Sequence, residues 1–600
     1  MSPSKRATLA ACAAAIIVGA TLATAPAATP SEVSVGPRRP KATWTGGPMT
    51  NANVSTLEGV ECPSKAQDPM DGVCDHVILK VEVPTSHWRS SYGGVRISLK
   101  NSGGGLQLFV YDSAGRIVGE GDAGTLPSAY IPNASGTYEI RVNPEVSFLQ
   151  DYQGEVVFTS KKGRDPGFPR HTTAAFKPRA FDAQPQSLPQ NAAVRYRGPA
   201  LAFQAHYVGR RAAEPTIGID PKGAVLFPAG AFDALPSQSP RQLAHTLYMA
   251  SFDKGRHFTV VQPPLVPGTQ TEGEPFTLDP YVYVDKDTGR WFGVDLKGAG
   301  TSIHFSDDQG QTWTRGHAAN VGFNDHQTLT SGVVPAGAAL VTTDSAFPKV
   351  VYYCSNQVYS AMCTRSLDGG VTFQPAGQAY PPADPSAEIP FCGALHGHVI
   401  ADPQGRLFIP RGHCGKPYIS FSEDAGLTWT VVKVSDRIGA ADTQTSVASD
   451  AAGNLYFVWH DDEHLMPYLS VSTDHGRTWS RPRMIAPPGV REVTWPSVVA
   501  GDKGRIAVTF PGTPSSDLAD LSRPWNQYVV MSTNALDRDP LFVSAVANPG
   551  GPGDPIHRGK CQNRCGNIYD FIDIESAPDA TGTIWVATTD TCTTLFKCST

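Results

Sequence analysis

One short motif occurs five times between positions 251 and 479: a serine, an aspartate two residues on, a glycine two further on, and an aromatic three after that. The copies are Ser251-Phe-Asp253-Lys-Gly255-Arg-His-Phe258, Ser306-Asp-Asp308-Gln-Gly310-Gln-Thr-Trp313, Ser366-Leu-Asp368-Gly-Gly370-Val-Thr-Phe373, Ser422-Glu-Asp424-Ala-Gly426-Leu-Thr-Trp429 and Ser472-Thr-Asp474-His-Gly476-Arg-Thr-Trp479. Ser532-Thr-Asn534 reads as a decayed sixth copy without its glycine. The serines are 55, 60, 56, 50 and 60 residues apart. Each element of the motif has a physical task. The Ser and Asp side chains can bond turn amides, Gly permits a positive φ, and the aromatic packs between neighbouring sheets. Five such rigid hairpin turns in phase confine the chain to a repeat architecture.

A second repeat runs out of step with the first. Ile217-Gly-Ile-Asp220-Pro-Lys-Gly223-Ala-Val-Leu-Phe227 is an apolar strand, an Asp/Gly turn and another strand, and related turns fall at 285–289, 402–405, 450–453, 502–504 and 579–582. Pro335-Ala-Gly337 fills the third place, which makes seven units. In each unit this hairpin precedes the serine motif by about 30 residues; two hairpins give four strands, which is one propeller blade. The expected fold is all-β, a seven-bladed β-propeller over 193–600, with six blades as the alternative count. A strand at about 193–206 is expected to close the ring as the outer strand of the seventh blade.

The octapeptide is that of the Asp box, or bacterial neuraminidase repeat, and residues 193–600 resemble the sialidase superfamily. The resemblance implies that the boxes turn on the face away from the functional site. That site would then lie on the loops between the second and third strands of each blade and on those linking blades. It also implies three arginines for a substrate carboxylate, because a guanidinium pairs both oxygens. A Tyr nucleophile assisted by Glu, and an Asp acid/base, complete the implied set; sialidases depart from the usual carboxylate pair. The positions that fit are Arg210 or Arg211, Arg411 and Arg491, with His413 beside Arg411 for binding, Tyr569 as nucleophile, Glu492 as its partner and Asp461 as acid. Two departures count against sialidase activity. The Phe-Arg-Ile-Pro signature is absent, its nearest string being Phe408-Ile-Pro-Arg411, and the blade count is seven.

Before the repeats the sequence divides further. Residues 1–28 have basic Lys5 and Arg6, an apolar run and Ala25-Pro-Ala-Ala28, the pattern of a secretory signal removed on export. Residues 29–60 are polar and Pro/Gly-rich and are expected to be poorly ordered. Residues 61–160 alternate in short strands, as in Leu106-Gln-Leu-Phe-Val-Tyr-Asp112 and Ser135-Gly-Thr-Tyr-Glu-Ile-Arg-Val142, and read as a small β-sandwich. Those two strings resemble the bacterial pre-peptidase C-terminal type of sandwich, which implies an accessory module. Residues 161–192 read as a linker.

Of 11 cysteines, Cys12 leaves with the signal, and an even number in an exported chain implies disulfides. Close pairing gives Cys62–Cys74, Cys354–Cys363 and Cys392–Cys414. Three connectivities are open to Cys561, Cys565, Cys592 and Cys598, of which Cys561–Cys565 with Cys592–Cys598 is preferred. Zinc is the alternative for that last cluster, although its spacings fit no standard zinc pattern.

The net charge of -6, without long runs, gives no reason to expect nucleic acid or an anionic membrane as partner. The loops expected on the functional face carry Asp325, His326, His396, His398, His460 and His464 besides the residues above. Those imidazoles could meet at a metal, but no metal or other cofactor is expected. The partner is extracellular glycan or glycoprotein, the location extracellular, the state monomeric. Three functions stay open. They are an exo-sialidase, a glycoside hydrolase or lyase of other specificity working through Asp461, Asp462 and Glu492, and a non-catalytic glycan- or protein-binding propeller.

Overall fold

A computed structural model describes residues 28–49, 74–101, 106–124, 127–144, 150–163, 185–188, 191–196, 201, 203–208, 214–229, 247–261, 281–296, 300–321, 324–357, 360–381, 395–413, 415–440, 445–461, 465–515, 520, 522–548, 553–559, 572–578 and 582–592. The fold is all-β. Among these residues the one helical element whose full extent is described is a 3-10 turn, Thr85–Arg89, and no helix is long and apolar enough to cross a membrane.

The N-terminal part is a two-sheet sandwich. One sheet orders Glu32–Val35, Asp75–Val81, Gly136–Pro144, Leu106–Asp112 and Ile117–Gly124; the other orders Lys41–Met49, Gln150–Lys162, Ser91–Asn101 and Ser128–Pro132. Alternate residues Val77, Leu79, Val95, Ile97 and Val156 are fully buried between the sheets, as period-two alternation requires. The stretch 29–60, expected to be poorly ordered, instead supplies two of these strands. Val33, Val35 and Trp44 are buried in the sandwich core, and three such anchors outweigh the polar, Pro/Gly-rich composition around them. The expected linker is also shorter: residues 161 and 162 end a sandwich strand, and Pro185–Leu188 pairs with Asn191–Tyr196.

From residue 218 the chain makes seven sheets in succession. Sheets one to five have four antiparallel strands each, paired in chain order; sheet six has four such strands, Ser497–Ala500, Ile506–Thr513, Pro524–Ser532 and Leu541–Val546, within an eight-stranded sheet that Glu492–Val493, His557–Arg558 and two N-terminal strands join. Their first strands are Gly218–Ile219, Tyr281–Val284, Asp325–Gly332, Ile400–Ala401, Thr445–Ser449 and Ser497–Ala500; sheet seven has two described strands, Asp573–Ser576 and Ile584–Ala587. Each of these first strands contacts the first strand of the next sheet, and Asp573–Ser576 also contacts Gly218–Ile219. The segment expected to complete sheet seven goes elsewhere. Asn191–Tyr196 pairs in parallel with Leu541–Val546, the outer strand of sheet six, whereas His206 stacks on Trp585 of sheet seven at 5.9 Å. An outer edge with free amides accepts whichever extended segment reaches it, and the sequence pattern of 193–206 does not encode which edge that is.

The octapeptides form the tight turns expected between third and fourth strands. In each complete copy the Ser Oγ accepts the Gly amide, as at Gly310 and Gly426 (2.8 and 2.9 Å), and donates to the Asp carboxylate. The Asp carboxylate accepts an amide four residues on, as Asp308 does from Thr312 at 2.8 Å. In four copies the residue before the glycine is left-handed as well (Lys254, Gln309, Ala425, His475). The decayed copy keeps the geometry: Asn534 Oδ1 accepts from Ser532 Oγ and from the Leu541 amide.

Candidate functional site

In an antiparallel four-stranded sheet the first and third connections lie at one end and the second at the other. The Asp/Gly turns and the octapeptides therefore share one end. The loops between second and third strands, and those leading to the next sheet, share the opposite end, here called the loop end. Left-handed backbone outside the octapeptide turns of the repeats lies at this end. Outside the octapeptides and Asn133 of the sandwich, the non-glycine residues with positive φ among the described residues are Glu214 (50°), His326 (49°), Leu465 (54°) and Trp495 (41°), all at the loop end. Bulky side chains take this conformation only where surrounding structure enforces it, and such positions gather at functional sites.

His326 lies in an irregular stretch of register between Asp325 and Thr328. A bulge of this kind re-aims the side chain, and the His326 ring lies 5.8 Å from that of His396 and 6.1 Å from that of His398. His398, leading into sheet four, meets the edge of Tyr281 of sheet two at 5.3 Å. Burial, reinforced by His326, holds the His396 imidazole well below its ordinary value and that of His398 down to about 3, so both are neutral. Arg411, 1% exposed, places its guanidinium 5.1 Å from the Tyr380 ring centre, and His413 lies 5.6 Å from the same ring.

A second group spans sheets five and six. Glu492 and Arg523 are both buried and paired, Nη1 to Oε2 at 2.6 Å and Nη2 to Oε1 at 3.2 Å. Arg523 Nε and Trp525 Nε1 both donate to the Gly559 carbonyl. Burial pushes the Glu492 carboxyl up, and Arg523 opposes it. The next residue, Val493, donates its amide to Leu465, whose neighbour Met466 donates to the Asp461 carboxylate. Asp461 and Glu492 thus belong to touching loops. His460, buried beside Asp461, is brought down to about 4 by burial.

Asp573 opens the first strand of sheet seven at the same end. Its Oδ2 accepts the Ile217 amide of sheet one at 3.0 Å, and its Oδ1 its neighbour's amide. Burial, with repulsion from Glu575, pushes this carboxyl up to about 7 although it keeps some exposure. A carboxyl of that kind can hold or release a proton near neutral pH.

Of the expected site residues, Arg411 and His413 come together on Tyr380, and Asp461 and Glu492 on adjoining loops. Arg491 precedes Glu492 and donates its amide to Thr513. Arg210, Arg211 and Tyr569 lie outside the described residues. Sequence reasoning located the loop from 512 to 525 without singling out Arg523, and passed over Tyr281 and Asp573. A carboxylate in an apolar strand, as in Phe571-Ile-Asp573-Ile, was the signal available. No group of three His, Cys, Asp or Glu among the described residues could hold a metal ion. Cys354–Cys363 is a disulfide between directly opposed residues of sheet three, as expected. Cys74 and Cys592 are disulfide-bonded too; the other cysteines expected to pair, Cys62, Cys392, Cys414, Cys561, Cys565 and Cys598, lie outside the described residues.

No curated protein matches the sequence. Among solved structures, a Hadza microbial sialidase (Hz136) overlaps 70% of this chain and 91% of its own at 13% identity and a TM-score of 0.35. A lectin of Aleuria aurantia overlaps 56% of this chain and 97% of its own at 13% identity and 0.34. A GH74 xyloglucanase from Xanthomonas campestris overlaps 58% of this chain and 51% of its own at 15% identity and 0.38. Residues 341–548, which carry three of the five octapeptides and the decayed sixth, match the family model of a BNR repeat-like domain.

Proposed function

We propose that this chain is an exported, sialidase-like β-propeller of seven blades that binds extracellular glycan at its loop end. One observation carries the reading: Tyr281 of sheet two meets His398 of sheet four across the sheet between them. Side chains of non-adjacent sheets touch in this way when their first strands curve about a common axis, and the loops of all the sheets then converge on one place. The contact of the last first strand with the first supports the same closure. Rigid scaffolds presenting polar loops are where binding sites are built.

In this reading residues 1–28 are a signal removed on export, the sandwich is an accessory module, and the mature protein is a monomer. Arg411, His413, Arg491, Asp461 and Glu492 contribute to the site, and Arg210, Arg211 and Tyr569, outside the described residues, are proposed to join them. Hydrolysis of the bound glycan is the second reading, favoured by Asp573, whose carboxyl lies near neutrality.

Glycan-array binding by the purified protein tests the first reading, and release of fluorophore from glycoside substrates, with and without chelator, tests the second. Binding without turnover is the outcome expected of a binding module. Turnover of a sialoside would establish an exo-sialidase, and turnover of other glycosides only would point to a different hydrolase. Silence in every arm would defeat the proposal.

A further inference from the structure

A recurring hydrogen bond joins the first strands of successive sheets. Thr216 Oγ1, leading into sheet one, accepts the Val282 amide of sheet two at 2.8 Å. Thr328 Oγ1 of sheet three accepts the Val399 amide of sheet four at 2.9 Å, and Ser446 Oγ of sheet five accepts the Val498 amide of sheet six at 3.2 Å. Asp573 Oδ2 of sheet seven accepts the Ile217 amide of sheet one at 3.0 Å. The positions correspond. Thr216, Ser446 and Asp573 each stand three residues before the last first-strand residue that pairs with the second strand (Ile219, Ser449 and Ser576). Thr328 stands four before Gly332, next to the irregular stretch of register. Each donor amide stands two residues before the same point in its own sheet (Val284, Ala401, Ala500 and Ile219).

Three of these four acceptors are hydroxyls, which stay neutral throughout the ordinary pH range. The fourth is a carboxyl, and it occupies the junction that no connecting loop spans: Asp573 and Ile217 are 356 residues apart. A hydroxyl there would make the same bond, so the carboxyl adds what the bond does not need, the ability to become charged. Its surroundings decide when it does. Burial, then repulsion from Glu575 on its own strand, pushes the carboxyl up to about 7 against the Ile217 and Ile574 amides and Lys286. Lys286 itself donates to Glu575 at 2.5 Å and to Ser576. Tyr281 of sheet two is kept neutral by burial, and Glu214 lies buried in the lead-in to sheet one. The other strands packed on Asp573–Ser576 are Gly218–Ile219, Ser497–Ala500, Ile506–Thr513 and Ile584–Ala587, and none of them carries an ionisable side chain.

We infer that the seam between sheets seven and one is a proton-dependent latch, shut while Asp573 is protonated and loosened when it ionises, whereas the junctions made by hydroxyls do not respond to pH. The sign follows from linkage. A carboxylate in the closed seam is poorly hydrated and faces Glu575, and it regains water only where the seam opens. Raising the pH from the ordinary carboxyl range towards 7 therefore shifts the seam towards its open form. This stands whether or not the loop end binds glycan.

Hydrogen exchange of the intact protein, read by mass spectrometry and divided by the intrinsic rate at each pH, tests this because it reports local opening. Peptides covering 214–219 and 572–577 follow the seam, and those covering 396–401 and 497–500 follow two junctions made by hydroxyls. Between pH 5 and 8 opening of the seam is expected to rise about a hundredfold, levelling above about pH 7, while the other junctions change by less than about threefold. Asp573→Thr, which installs the acceptor type of the other junctions, is expected to keep the seam shut and remove the rise. Asp573→Asn, closer in shape to the native side chain, is expected to remove it as well. A seam whose opening does not rise, or a rise shared equally by every junction, would overturn the inference. So would a rise that survives in either variant.

Discussion

Arg523 and Glu492 form an ion pair with side chains 1% and 3% exposed. Both charges have lost their hydration, so each stabilises the fold chiefly by keeping the other from being stranded. Arg523→Met alone is expected to lose about 3–5 kcal/mol, and adding Glu492→Gln to recover part of it. Urea unfolding of the single and double variants checks this, and losses that simply add would deny the coupling. Asp573 differs because its stability effect depends on pH. Its carboxyl sits at about 7 in the folded protein against an ordinary 3.8, so the folded state holds this proton more tightly than the unfolded one. Its contribution is therefore full at acid pH and is lost as pH rises from about 4 to about 7, with a slope approaching about 1.4 kcal/mol per pH unit. The groups that act on it are Glu575 on its own strand, and Lys286 and Tyr281 of sheet two. Asp573→Asn should flatten that part of the profile in thermal unfolding between pH 4 and 8; an unchanged slope would exclude Asp573 as its source.

Turns set the geometry at the scale of the element. Gly476 has a φ of +87°, which an L side chain adopts only at a cost, whereas Gly501 has no positive φ and open space around its would-be Cβ. Gly476→Ala is expected to destabilise by about 1–2 kcal/mol, and Gly501→Ala to be neutral or mildly stabilising through the unfolded chain. Equal effects in denaturant titration would mean that the left-handed turn is not what the octapeptide preserves. These turns were legible in the sequence because their chemistry is local: Ser, Asp and Gly within five residues satisfy one another's hydrogen bonds. The alternation of the sandwich strands was legible for a similar reason. What escaped was non-local. Nothing within 29–60 says that Val33, Val35 and Trp44 find a core supplied by residues 77–156, and nothing within 193–196 says which sheet edge is open. The site was legible in the same proportion. Loops rich in Arg, His and acid singled out the loop end as the candidate, but Arg523 and Asp573 acquire their character from Glu492, Ile217 and Glu575, partners that the fold brings to them from 2 to 356 residues away.

At the scale of the whole molecule, the seven sheets could stand in an open row or close on themselves, and the two arrangements respond differently to losing one end. In a row of repeats stability is close to a sum of units and neighbour contacts, so trimming the last unit removes roughly its own share. In a closed arrangement the last sheet is also a neighbour of the first, and its removal exposes two faces at once. Sheet seven has such a double attachment. Its first strand contacts that of sheet six, while Asp573 accepts the Ile217 amide of sheet one, Glu575 pairs with Lys286 of sheet two at 2.5 Å, and Ala587 and Trp585 pack with Ile219 and Phe227 of sheet one. Removing residues 572–600, which leaves His557–Arg558 and the Gly559 carbonyl on sheet six, is therefore expected to abolish the cooperative thermal transition of the repeat region and to expand its radius of gyration in X-ray scattering, well beyond the loss of a two-stranded sheet. A shortened chain that still unfolds in one transition, at a modestly lower temperature and with unchanged compactness, would mean that the sheets form a row, and the convergence of loops on which the proposed glycan binding rests would go with it.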